Sequence, residues 1–199
     1  SFKTEMALQM PIENRLQLLS DRPFIEVLDD LNSIAFNQKK SIGLRWKAVT
    51  AMGLVSGPNS VSSSIQYIER ALMSSEWNLR NSGLLALKHL NREKAVEWAE
   101  RFLKDPALVV RTAAVQVLID LNSKASKRKL WKALNSPQNF SKNKSLWVRK
   151  HIVKALYKFA DKGEASRFVQ LLSDEDSRLH PYARKSIEKI TGEKCSDPY

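Results

Sequence analysis

From Ser145 to Lys162 the chain reads SLWVRKHIVKALYKFADK. At about 100° per residue, Val148, Ile152, Ala155, Leu156 and Phe159 fall in one narrow sector, the spacing of a buried helical face. Lys150, Lys154 and Lys158 form a stripe roughly opposite, with Val153 and Tyr157 between the two. Because it is apolar on more than one side, the helix is expected in a stack of helices rather than on the surface of a globule. Like charges at i, i+4 cost an isolated helix about 0.2–0.5 kcal/mol per pair. Burying Leu156 or Phe159 returns about 1.5–3 kcal/mol each. The lysine stripe is therefore sustainable with or without a use.

The same arrangement recurs along the chain. Its core is an apolar residue, a basic residue, a small or apolar residue three places on, and a large apolar residue four places after that. Leu44-Arg45 with Ala48 and Met52, Leu79-Arg80 with Gly83 and Leu87, Val110-Arg111 with Ala114 and Leu118, and Val148-Arg149 with Ile152 and Leu156 are four instances. Leu179-His180 with Ala183 and Ile187 is a looser fifth. The basic positions step by 35, 31, 38 and 31 residues. Self-similarity at this period predicts a repeat array in which each unit buries its face on its neighbours.

Between these second (B) helices lie segments that read as partner (A) helices: Ser60 to Met73, Arg92 to Leu103, Ala125 to Leu134 and Ala165 to Leu172. Phe24 to Asn37 precedes the first B helix, with Ile25, Leu28, Leu31 and Ile34 at helical spacing. Residues 1–22 form a lead-in in which Pro11 opens a short helix carrying Leu16, Leu18 and Leu19. Asp105-Pro106 signals a helix start, and Asp174-Glu175-Asp176 supplies acids suited to a helix N-terminus. Ser136 to Lys144 (SPQNFSKNK) is long and polar, accounts for the 38-residue step, and is expected to be a mobile loop. The organisation expected is a lead-in over 1–22, one array over 23–191 and a tail over 192–199. B helices should fall near 41–55, 76–90, 106–121, 144–161 and 176–191.

DPALVVRTAAVQVL and SLWVRKHIVKAL resemble HEAT repeats, especially the short bacterial form of the phycobilin-lyase-type HEAT-like proteins. The resemblance covers about residues 24–191. It implies an all-α, right-handed α-solenoid of about five HEAT-like helix pairs whose second helices line a concave surface. It also implies that Arg45, Arg80, Arg111 and Arg149 are structural repeat residues, with Arg111 bonded to Asp105. His180-Pro181 stands where the fifth repeat would carry Arg, which marks a terminal cap. The tail, Ile190-Thr191-Gly192 through Asp197-Pro198, resembles the end of some exported bacterial HEAT proteins. Ser-Phe-Lys at the start is read as following a removed export signal or a trimmed end, with an exported location favoured over a cytoplasmic one.

Charge changes the picture most. The chain carries +12 overall, yet residues 122–162 hold twelve Lys and Arg against Asp161 alone. So concentrated a patch favours acidic partners. Lys150, Lys154, Lys158, Lys185 and Lys189 are expected on one B-helix surface, while Lys129 and Lys132 extend the patch along an A helix toward a rim. Trp46 is a candidate aromatic anchor for a partner. Trp77 just before a B helix, and Trp131 and Trp147 amid the basic run, read as packing residues or as surfaces for stacking.

Little else points to chemistry. A lone cysteine, Cys195, leaves no internal disulfide framework and no Cys-based zinc site. His89, His151 and His180 are far apart, and the six glycines form no phosphate loop. Asp29-Asp30 is read as structural. No apolar run approaches the ~18–20 residues of a membrane span. The expectation is a monomeric, non-catalytic scaffold with no cofactor and no metal, binding an acidic protein partner on the concave face. Sequence-nonspecific binding to a phosphate backbone, or to another acidic polymer, is the alternative. HEAT-type DNA glycosylases resemble the chain in helix type and charge but depend on an Asp in the DNA cleft, where the last two B faces offer lysines. Bilin lyases share the repeat type, and no residue set here would hold a bilin.

Overall fold

Helices form where apolar residues recur three and four apart, and each ends where a polar or Pro-containing turn interrupts that period. The computed structural model describes residues 1–20, 22–55 and 60–195. It divides into two compact units, Ser1–Trp98 and Ala99–Tyr199.

The first unit holds α1 (Phe2–Gln9), α2 (Ile12–Ser20), α3 (Phe24–Ala35), α4 (Ile42–Met52), α5 (Val61–Leu72) and α6 (Trp77–Leu90). Here α3 packs on α4, α5 packs on α6, and α4 lies against α6. Val27, Leu28, Leu31 and Ile34 bury one face of α3, and Ile68, Leu72, Leu79, Leu84 and Leu87 do the same for the next pair. Ser41 caps α4 by accepting the Leu44 N–H. The close approach of α4 to α6 depends on Gly53: a Cβ there would stand 2.8 Å from both the Cα and the carbonyl oxygen of Ala86. In the lead-in, Leu19 is buried, while the side chains of Leu16 and Leu18 lie outside the described residues. Asp30 accepts from Thr4 and Arg22, each at 2.8 Å. Burial would raise its pKa, but these bonds hold the carboxyl down at about 2.

α7 (Arg92–Phe102) spans the division. The second unit continues with α8 (Leu108–Asp120), α9 (Lys127–Leu134), α10 (Val148–Phe159), α11 (Ala165–Leu171) and α12 (His180–Thr191). α9 packs on α10 and α11 on α12, while α8, α10 and α12 lie side by side in that order. Single 3-10 turns at Lys124–Ser126, Lys162–Glu164 and Ser177–Leu179 lead into α9, α11 and α12. Gly192, at φ +77°, closes α12 in the left-handed conformation that glycine adopts without a Cβ clash. The last residues of the tail, including Asp197-Pro198, lie outside the described residues.

The segment 136–144 is a built element where the sequence led us to expect a mobile loop. Pro137–Asn139 makes a 3-10 turn, and Phe140–Ser141 pairs antiparallel with Lys144–Ser145. Lys142 and Asn143, at φ +49° and +62°, form the two-residue connection, matching the positive-φ turn that suits a twisted hairpin. Asn139 is fully buried and donates to the Ala133 carbonyl at 2.8 Å. Consequently α10 begins at Val148, and Lys144 to Trp147 are outside the helix predicted over 144–161.

Candidate functional site

The repeat arginines are buried or half-buried and held by turns. Arg45 donates from Nε to the Ala35 carbonyl (2.9 Å) and from both terminal nitrogens to Glu76 (2.9 and 2.6 Å). Arg149 repeats this arrangement in the second unit, with Nε on the Leu134 carbonyl (2.9 Å) and a fork onto Asp174 (3.1 and 2.7 Å). Arg111 reaches Asp105 through its backbone carbonyl (2.8 Å), and also Asn139 Oδ1 (2.8 Å) and the Gln138 carbonyl (2.9 Å). The Asp105 carboxylate accepts the Ala107 N–H at 2.8 Å. Arg80 donates to the carbonyls of Ser74 (3.0 Å) and Ser75 (2.8 Å). Each guanidinium thus ties its helix to a neighbouring turn, and in three cases to the turn of the following pair.

The lysines separate into two groups. Lys158 donates to the Ile119 carbonyl at the C-terminal end of α8 (2.7 Å). Lys189 donates to the carbonyls of Tyr157 (3.1 Å) and Lys158 (2.9 Å) at the end of α10. Both ammonium groups cap helix C-termini, where unsatisfied carbonyls and the helix dipole favour a cation. On α9, Lys129 pairs with Glu100, and Lys127 pairs with Asp161 and Glu164. Burial would lower the Lys127 pKa, and its two carboxylate partners raise it instead. Lys132 is exposed, but α9 lies on the Arg149 side of α10, away from the lysine stripe. Lys150, Lys154 and Lys185 are exposed with no ion-pair partner among the described residues.

Around these three stand aromatic groups. Tyr157 and Tyr182 are half-buried, their ring centroids 6.3 Å apart and their planes tilted by 47°. The Lys189 ammonium lies 5.4 Å from the Tyr157 centroid. Trp147 is exposed and meets His151 edge-on at 4.3 Å. Burial, together with the charges of Lys154 and Lys150, lowers the His151 pKa, so the ring is held neutral beneath a positive surface. Trp131 is a packing residue: it contacts Phe168 at 5.1 Å, donates to Glu164 at 2.8 Å and lies under Arg167. In the first unit Trp46 is half-buried with the Lys47 ammonium 6.0 Å from its ring, and Trp77 is exposed at the start of α6.

A cleft of about 540 Å³ opens between the hairpin and the turn before α12, lined by Lys144, Ser145, Arg149, Asp174, Asp176 and Arg178 among others. Its charged groups satisfy one another. Ser145 donates to Asp176 (2.5 Å), Arg178 forks onto Asp176 (2.7 and 2.8 Å), and Arg149 holds Asp174. Hydrogen bonding from Arg178 holds the Asp176 carboxyl down at about 2, and Arg149 lowers that of Asp174. Such a network locks the hairpin to the turn. The acids at 76 and 174, each in the turn that precedes a B helix, are the sequence signal for these partners.

Alternating helices, with α3 on α4, α5 on α6, α9 on α10 and α11 on α12, and with neighbouring second helices side by side within a unit, define an all-α solenoid of paired helices. The family model for HEAT repeats matches residues 65–141, so that stretch is similar to HEAT repeats. No curated protein matches the sequence. Among solved structures, an engineered protein determined by a structural genomics consortium aligns at TM-score 0.52 and 15% identity, covering 95% of this chain and 96% of that one. A designed armadillo repeat protein aligns at TM-score 0.49 and 15% identity, covering 94% and 98%. Among the described residues no helix is long and apolar enough to cross a membrane.

Proposed function

We propose that this protein is a non-catalytic binding scaffold for a protein partner, whose acidic part lies against the exposed face of α10 and α12. The observation that carries this reading is the set of three uncompensated ammonium groups, Lys150, Lys154 and Lys185, on neighbouring B helices of a repeat scaffold. Charge of one sign on a low-dielectric surface steers an oppositely charged partner and sets its register.

Binding along a phosphate backbone is the competing reading, and the lysines already held at helix ends weigh against it. Proteins that grip duplex DNA neutralise on the order of 6–10 phosphates. With Lys158 and Lys189 already engaged at helix ends, this face offers fewer free cations than that. The two tyrosine rings, tilted by 47°, do not form a parallel platform for successive bases.

Charge reversal tests the assignment. Affinity capture from nuclease-treated extract, with wild type beside a Lys150→Glu, Lys154→Glu, Lys185→Glu variant, should retain acidic proteins on the wild type and lose them on the variant. Circular dichroism establishes that the variant is folded. Equal capture by both proteins removes this face from the reading. Binding that disappears on nuclease treatment transfers the reading to nucleic acid.

A further inference from the structure

Tyr157 and Tyr182 lie where α10 meets α12, and neither hydroxyl has a hydrogen-bond partner among the described residues. Each ring is half-buried, and the pair lies along the furrow that two adjacent helices form between them. Lys150 and Lys154 stand one helical turn apart on the α10 side, about 6 Å along the axis. Lys185 stands on the α12 side, and Lys189, over the Tyr157 ring, closes the end toward the α10 C-terminus. The charged groups here are all cationic donors, Lys150, Lys154 and Lys185 with Lys189 at the end, and each phenol can donate as well as accept. Among the described residues no carboxylate pairs with Lys150, Lys154 or Lys185. Glu188, about a third of a turn round α12 from Tyr182, accepts the Cys195 N–H at 3.0 Å. His151, beside Lys150 and Lys154, adds a neutral ring and no negative charge.

A cationic, donor-rich groove beside two half-buried aromatic rings fits an anionic acceptor that also has apolar surface. Carboxylate side chains accept from ammonium and phenol alike, and their methylene stems lie well on a tyrosine face. Phosphate would use the lysines equally, but the small number of free cations and the tilt of the rings favour the peptide, as argued above. We infer that the groove between α10 and α12 is the docking site for an acidic peptide segment, held by Lys150, Lys154 and Lys185 and by the hydroxyls of Tyr157 and Tyr182. This inference rests on the scaffold reading and adds the tyrosines and the groove to it.

Fluorescence anisotropy with a short labelled oligoglutamate peptide, at low and at physiological salt, tests it. Wild type should bind at low salt. Lys154→Glu with Lys185→Glu should weaken binding by about tenfold or more, and Tyr157→Phe with Tyr182→Phe by about three- to tenfold, since a hydrogen bond to a charged group is lost at each phenol. Lys132→Glu, on α9, should bind as wild type does. Loss in the lysine pair with no change in the tyrosine pair overturns the groove assignment and leaves the acidic-partner reading standing. No change in either pair overturns both. Oligothymidylate of equal length binding more tightly than oligoglutamate at the same salt overturns the choice of a peptide.

Discussion

Arg149 shows how one residue type answers to its neighbours. Its side chain is 2% exposed, yet every part of the guanidinium finds an acceptor: a backbone carbonyl, a serine hydroxyl and the Asp174 fork. Removing one partner of such a pair leaves the other desolvated and unpaired, the costliest way to break it. Arg149→Met should therefore destabilise the fold by about 3 kcal/mol in urea denaturation. Arg80→Met, at a half-buried site where the bonds to the Ser74 and Ser75 carbonyls are lost, should cost at least about 1 kcal/mol. The acids beside Arg149 make the second unit sensitive to low pH. Asp176, at about 2, and Asp174, lowered by Arg149, sit below the ordinary carboxylate value of 3.8. A depressed folded-state pKa gives stability that is present above the unfolded value and lost as pH falls through the folded one. Stability should thus decline from near pH 4 toward pH 2, and Asp176→Asn should flatten that decline in urea titrations. A decline of unchanged steepness would exclude Asp176 as its source.

At the scale of the helix, two contacts decide how neighbours fit. Gly53 lets α4 approach α6, and a Cβ there meets the backbone of Ala86 at 2.8 Å. Gly53→Ala should lower stability by about 1–3 kcal/mol through forced separation of the helices. Gly43→Ala, where a Cβ meets nothing within 4 Å, should raise it by about 0.5–1 kcal/mol through helix propensity. The lysine caps join α8 to α10 and α10 to α12. Lys158→Met and Lys189→Met should each cost about 0.3–1 kcal/mol. Melting curves of the four variants check both expectations. Periodicity placed the helix faces well because burial follows the 3.6-residue turn. It left the hairpin unseen, since a two-residue strand has no period and Asn139 is buried through hydrogen bonds rather than apolarity.

For the molecule as a whole, charge is the property that composition overstates. The second unit carries +10 of the +12, but ion pairs and helix caps occupy several of its cations. If duplex DNA binds at low salt through the α10 and α12 face alone, the log–log salt slope should be no steeper than about 3, the value for three neutralised phosphates at about 0.9 each. A slope of about 6 or more in gel-shift titrations would mean that cations beyond this face meet phosphate. The candidate surface was half legible beforehand. Lys150 and Lys154 stood out as part of a stripe with Lys158, and Lys185 as its counterpart on the next B helix, whereas Tyr182 gave no signal, being a lone aromatic in a helix otherwise read for its lysines.

By itself the sequence determined the helical repeat, the positions of the buried faces, and the excess of positive charge in residues 122–162. All three follow from local spacing and side-chain type, which need no knowledge of what lies across the chain. Tertiary structure alone decided which cations remain available. Whether a lysine meets a carboxylate, a helix end or water depends on residues 29–39 positions away, as Glu100 to Lys129, Ile119 to Lys158 and Tyr157 to Lys189 show. Electrostatic availability is a property of distance in space, and only the packed helices set those distances.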